Sequence, residues 1–114
     1  MSDARRALGA RGEELAARWY VERGYEIVDR NWRCRDGEID IVAARGPVLV
    51  VCEVKTRTSD AFGSPASAVT PAKQRRLRRL AMAWLDQHGP GARRLRFDVA
   101  AVVGTSVTVI EGAF

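Results

Sequence analysis

Histidine, lysine and cysteine are nearly missing from this 114-residue sequence, which has one His, two Cys, and only Lys55 and Lys73 as lysines. With His88 alone, and with Cys34 and Cys52 outside any CxxC spacing, no Cys/His zinc site can be assembled, and both cysteines are expected to be free thiols. No apolar run approaches the ~18 residues of a membrane span, and the opening MSDARRALGARGEE carries charge where a signal peptide needs an apolar core. The expected location is therefore a reducing cytoplasm, with no membrane partner. Internal repeats, low-complexity tracts and linkers are also missing. A chain of this length has room for one hydrophobic core, so residues 1–114 read as a single domain.

What is abundant is arginine. Lys and Arg together number 19 against 14 Asp and Glu, giving a net charge of +5 and a pI near 10.0. This balance favours a polyanionic partner, and the planar guanidinium fork suits phosphate, although a GC-rich genome also enriches arginine without reference to function. The hydrophobic share of 46% is that of an ordinary globular protein, which excludes a disordered basic tail.

Periodicity predicts a first helix from about Asp3 to Arg23, with Leu8, Gly12, Leu15, Ala16 and Trp19 on one stripe and Gly24 as its stop. Tyr25 to Asp29 reads as a short strand. Gly37 to Ala43 and Val48 to Thr56 read as two longer strands joined in a hairpin at Arg45-Gly46-Pro47. Arg57 to Thr70 has loop composition. A second helix then opens with Thr70 as N-cap and Pro71 at N1, carries Leu77, Leu80, Ala81, Trp84 and Leu85 on one stripe, and ends at Gly89-Pro90-Gly91. Leu95 to Val103 and Val107 to Ile110 complete the order helix, three strands, helix, two strands. The fold class expected is α/β, with helices flanking a mixed central sheet in which the Val48 strand is central.

Strand alternation puts Glu53 and Lys55 on one face. If the hairpin loop has an even number of residues, Asp40 pairs with Glu53 on that face too. Facing carboxylates repel, and a divalent cation resolves the repulsion; oxygen-only ligands suit Mg²⁺ or Mn²⁺. Lys55 would then orient or deprotonate a water, or neutralise charge on a phosphate. The plain alternative is a solvated hairpin face with weak ion pairs. Against it, Glu53 ends the run Val48-Leu49-Val50-Val51-Cys52, where an unpaired charge is costly. In the first helix Glu13 lies nearer the apolar stripe than Glu14 and is the better further carboxylate; the alternative is that both only solvate the helix. Glu38 shares its strand face with Asp40, as a supporting carboxylate or a ligand for a second metal.

These residues carry a resemblance. Gly9-x-x-Gly12-Glu13, Asn31-x-Arg33, Gly37-Glu38-Ile39-Asp40, Glu53-Val54-Lys55-Thr56-Arg57, Gly63, Lys73 and Arg96-Phe97-Asp98-Val99 resemble, in order and over nearly the whole chain, the YraN family of bacterial proteins. That family is similar to archaeal Holliday junction resolvases and shares the PD-(D/E)XK, restriction-endonuclease-like core. The resemblance implies metal ligands at Asp40 and Glu53, the signature lysine at Lys55 and a helix carboxylate at Glu13, so that catalytic residues are expected at Glu13, Asp40, Glu53 and Lys55. Cys52 departs from the family's more frequent Val and, being small and apolar, leaves the site intact.

Lys73, Arg75, Arg76, Arg78 and Arg79 place five basic residues within seven, with no acidic neighbour among them, and with Arg57 they form the expected nucleic-acid-binding set. Arg93, Arg94 and Arg96 form a second cluster. His88, Trp19 and Trp84 read as structural, Trp32 as core or rim with base stacking as the alternative, and Asp98 as a partner for an arginine. The leading expectation is a Mg²⁺- or Mn²⁺-dependent endonuclease of DNA repair or recombination, acting on branched or damaged DNA without sequence specificity, since no base-reading motif is present. The resolvase resemblance extends to a homodimer, because symmetric cuts need two sites. The rival is a non-catalytic nucleic-acid-binding accessory protein that retains the nuclease fold; an RNA- or ribosome-associated role rests on charge alone.

Overall fold

A computed structural model describes residues 3–58, 69–89 and 94–114. Its order is α1 (Asp3–Glu22), β1 (Glu26–Cys34), β2 (Gly37–Arg45), β3 (Val48–Arg57), α2 (Pro71–His88), β4 (Arg94–Val103) and β5 (Ser106–Ile110). The expected sequence of elements is thus observed. The five strands form one sheet in the order β1-β2-β3-β4-β5, antiparallel throughout except for the parallel β3–β4 pair that α2 connects.

β3 sits at the centre because its residues are apolar toward both sides. Leu49 and Val51 join Ile39, Val42, Leu77, Leu80, Trp84, Phe97 and Val99 in the core under α2. Val50 and Cys52 join Ala16, Ala17, Tyr20, Ile41, Ala43, Ala100 and Val102 under α1. Helix α2 begins as the sequence indicates: Thr70 is extended, its hydroxyl accepts from the Lys73 amide at 3.2 Å, and Pro71 occupies the first turn. Among the described residues no helix is long and apolar enough to cross a membrane.

Three expectations need correcting. The first strand does not stop at Asp29 but runs to Cys34. Its alternation is broken twice, by a register shift between Ile27 and Asp29 and by Asn31 in the left-handed region at φ 53°, so the apolar pattern does not read as one strand. The buried face of α1 is Gly12, Ala16, Ala17 and Tyr20; Leu15 and Trp19 only flank the core, and Leu8 is part-exposed. Small residues let the helix approach the sheet, and the Tyr20 hydroxyl finds a buried partner in Asp98 at 2.6 Å. Trp19 accordingly lies at the rim, under the Arg23 guanidinium 3.8 Å from its ring centre. Gly63, Arg93 and the expected loop's residues 59–68 lie outside the described residues.

Candidate active site

The hairpin turn is two residues long, with Arg45 opposite Val48, and the β2–β3 register runs up to Ile41 opposite Cys52. Asp40 and Glu53 are next in that register, but regular pairing ends before them. The Asp40 carboxylate instead accepts the Val54 amide at 2.8 Å, taking the place of a ladder partner where β2 leaves β3.

Both β1 and β2 turn over at this point. In β2, Ile41 packs under α1 whereas Ile39 packs under α2, although residues two apart should share a face. In β1, Arg30 reaches Glu14 of α1 while Trp32 packs under α2, its indole N–H donating to Gln87 at 2.9 Å. The residues between are Asn31 and Asp40, which face each other between the Arg30–Ile41 and Trp32–Ile39 pairs. Asn31 is the one non-glycine residue at positive φ among those described, a conformation asparagine tolerates better than most. The turnover brings Asp40 within reach of groups on both sides of the sheet.

On the α1 side, Glu13, Glu38 and Asp40 each offer a carboxylate oxygen, and the three oxygens lie within 4.8 Å of one another. Burial lifts the Asp40 carboxyl to about 7, against the Val54 hydrogen bond, and the charges of Glu53, Glu13 and Glu38 push it the same way. Burial also raises Glu13, which an Asn31 hydrogen bond partly offsets. Glu14 points elsewhere, pairing with Arg30 at 2.8 Å and Arg18 at 3.4 Å. The choice of Glu13 over Glu14 therefore follows from which face of α1 meets the sheet. Gly12 sets the helix height: a Cβ there would overlap the Thr56 hydroxyl on β3.

On the α2 side, Glu53 and Lys55 follow the alternation of Leu49 and Val51, and their side chains are 3.3 Å apart and mostly buried. Lys73, in the first turn of α2, stands beside Lys55, whose charge holds the Lys73 ammonium below its usual range. Two ammonium groups and a helix N-terminus therefore gather at one spot, an arrangement that attracts an anion. Arg75, Arg76, Arg78 and Arg79 are exposed along α2. Arg76 lies near Gly37 at the start of β2, and Arg78 sits 5.1 Å and 5.4 Å from the ring centres of Phe97 and Phe114. Arg57 and Arg5 line a cleft of about 490 Å³ beside Glu13 and Lys55.

The structure thus brings Glu13 and Glu38 to Asp40 where β2 and β3 part, while Glu53 lies outside that cluster of three, paired with Lys55 and near enough for its charge to act on Asp40. Sequence reasoning ranked Glu38 as an auxiliary; the signal available was the alternating Glu38-x-Asp40 in one strand. It gave Asn31 no role of its own. Arg96 does not belong to a phosphate-binding cluster: it is turned to the α1 side and committed to Asp98 at 2.9 and 3.0 Å, to the Tyr25 hydroxyl at 2.9 Å and to Glu111 at 3.3 Å. Asp98, 1% exposed, also accepts from Tyr20 and the Gly112 amide, so this is a fully bonded buried charge that ties α1 and the C-terminal residues to β4. His88 stacks on Trp84 with ring centres 4.1 Å apart and bonds the Trp84 carbonyl at 2.8 Å, a structural role as expected.

Residues 12–102 match the model of Uncharacterised protein family UPF0102. A UPF0102 protein of Rhodococcus jostii is 59% identical over 97 residues, 85% of this chain and 82% of its own. One from Beutenbergia cavernae is 56% identical over 102 residues, 90% of this chain and 86% of its own. One from Acidothermus cellulolyticus is 48% identical over 128 residues, 99% of this chain and 97% of its own.

Proposed function

The chain belongs to the UPF0102 family, known also as the YraN family, and we propose that it is a Mg²⁺- or Mn²⁺-dependent endonuclease that hydrolyses DNA phosphodiesters on a PD-(D/E)XK core. The observation that carries this reading is the convergence of Glu13, Glu38 and Asp40 within 4.8 Å, with the Glu53–Lys55 pair alongside. A mixed five-strand sheet with its carboxylates at the parting of an antiparallel pair supports the same assignment.

The donor set fits a small hard cation. All candidate ligand atoms are carboxylate oxygens, and ligands ~2.1 Å from a central ion stand at most ~4.2 Å apart, so the cluster needs only slight closure. Burial and three neighbouring negative charges make ionised Asp40 costly by itself, a cost that a cation would remove. Glu13, Glu38 and Asp40 would hold the ion, with Glu53, whose charge acts on Asp40, beside them. When bound, it would polarise a phosphoryl oxygen and ease deprotonation of a water. Asp40 is fixed by the Val54 amide and so presents its second oxygen in a set direction. Lys55, held by Glu53, would neutralise charge building on the phosphate, with Lys73 beside it. The arginines of α2 would track the flanking backbone without reading bases. Two free thiols suit a reducing cytoplasm, and paired cuts on opposite strands would call for a homodimer.

The test is incubation with a panel of linear, flapped and four-way DNA, with and without Mn²⁺. Cleavage that depends on Mn²⁺, and that Lys55→Ala lowers while the Mn²⁺-induced rise in melting temperature is kept, supports the reading. Absence of cleavage across the panel, with binding retained, favours the non-catalytic binding protein instead.

A further inference from the structure

In a regular strand consecutive side chains point to opposite sides of the sheet. Arg30 and Asn31 depart from that rule: Arg30 bonds Glu14 of α1 at 2.8 Å, and the Asn31 side chain hydrogen-bonds Glu13, the preceding residue of the same helix. The departure coincides with the left-handed backbone of Asn31, φ 53°, after which Trp32 packs on the α2 side. A residue other than glycine held in that region stores strain, and such residues cluster where function needs a group aimed in one direction.

What Asn31 is aimed at is a repulsive cluster. Glu13, Glu38 and Asp40 bring carboxylate oxygens within 4.8 Å of one another, so a donor on each is needed to hold them together before a cation arrives. Each has one, from a different residue: Asp40 accepts the Val54 amide at 2.8 Å, Glu38 pairs with Arg33 at 3.3 Å, and Glu13 has Asn31. The Arg33 side chain is 77% exposed, so its hold on Glu38 is weak. Glu38 and Asp40 belong to β2, whereas Glu13 comes from α1, and Asn31 is the sheet residue that reaches it. We propose that Asn31 is a positioning residue, whose side-chain amide holds the Glu13 carboxylate against Asp40 and Glu38 and so sets the spacing in which the cluster takes a divalent cation. The inference rests on the metal-site reading above and adds to it a residue outside the ligand set.

Two measurements test it. In metal-free protein the NMR signals of the Asn31 side-chain amide are expected to shift in Glu13→Ala and to stay in place in Glu14→Ala, which removes the adjacent Arg30 pair instead. Mn²⁺ affinity, by calorimetry, is expected to fall about tenfold in Asn31→Gly, the low end of what losing a ligand's outer partner costs. The metal-free melting temperature of that variant should stay close to wild type, because glycine adopts the left-handed conformation without strain while it loosens the unfolded chain. In a Glu13→Ala background Asn31→Gly should cost no further affinity. Unchanged Mn²⁺ affinity in folded Asn31→Gly makes Asn31 a turn residue only and overturns the proposal, as do equal losses in both backgrounds. Amide signals indifferent to Glu13→Ala overturn it too, and that result stands even if Asn31→Gly fails to fold. A wild type that binds no Mn²⁺ removes the nuclease reading and this inference together, whereas Mn²⁺-dependent cleavage with Asn31 indifferent to Glu13 removes the inference alone.

Discussion

Gly12→Ala adds one methyl group at the closest approach of α1 to the sheet, and the structure fixes the sign of its effect. On helix propensity alone the change would stabilise by up to about 1 kcal/mol. The new Cβ, however, would overlap the Thr56 hydroxyl and press on the Thr56 methyl and Cβ, at 3.0 and 3.1 Å. A β-branched side chain has little freedom to turn both branches away, so the helix must lift. Overpacking of this kind costs about 1–3 kcal/mol, and because the overlap is severe the upper half of that range applies. The net expectation is a loss of about 1–2 kcal/mol, or roughly 4–8 °C in melting temperature for a domain of this size. Thr56→Ala removes the two worst contacts, so Gly12→Ala/Thr56→Ala should recover most of the loss in a urea-denaturation cycle. Gly9→Ala in the same helix meets open space among the described residues and should stabilise by up to about 1 kcal/mol. A Gly12→Ala variant as stable as wild type, or a double variant showing no coupling, would refute the claim that this glycine sets the height of Glu13 above the sheet.

Two further outcomes follow from the charges. Asp40 titrates near 7 in the folded, metal-free chain but near 4 when unfolded, so its contribution to stability is present at low pH and lost as pH rises through about 7. Thermal melts should therefore show a loss of roughly 2 kcal/mol between about pH 5.5 and about pH 8 that Asp40→Asn abolishes, with Mn²⁺ raising the melting temperature more at the higher pH because it competes with the proton; a pH dependence unchanged in the variant would contradict the assignment. DNA affinity should fall with salt at a log–log slope of about −4 to −5 if some five phosphate contacts come from α2 and its neighbours, and neutralising Arg75, Arg76, Arg78 and Arg79 together should flatten it to about −1; an unchanged slope would put the DNA path elsewhere.

The element order, the central place of β3 and the β2–β3 hairpin were legible because they rest on local signals: the Thr70-Pro71 cap, the Arg45-Gly46-Pro47 turn, the apolar stripe of α2, and the run Val48 to Cys52 covered on both faces. The candidate site was legible as residue types but not as geometry. Alternation gave Glu53 and Lys55 correctly as neighbours, yet the same rule assigned Asp40 to their face, and alternation fails at Asn31 and Asp40, where the pleat turns over. That inversion brings Glu13 and Glu38 to Asp40, and in β1 it coincides with a left-handed backbone angle at Asn31 that no periodicity reveals. Of the Arg96–Asp98–Tyr20 network only the pairing of Asp98 with an arginine was legible: Tyr20 lies 78 residues away in the chain, and composition alone made Arg96 look like part of a phosphate-binding surface.

The most direct test compares wild type with Asp40→Asn, purified side by side and assayed with Mn²⁺ on the same DNA. Asparagine keeps the size and an oxygen for the Val54 amide, so the fold should persist, while the charge proposed to hold the cation is gone. Cleavage is expected to fall by orders of magnitude, with the Mn²⁺-induced gain in melting temperature lost and metal-free DNA binding equal or slightly tighter. Equal cleavage by the two proteins would contradict the account.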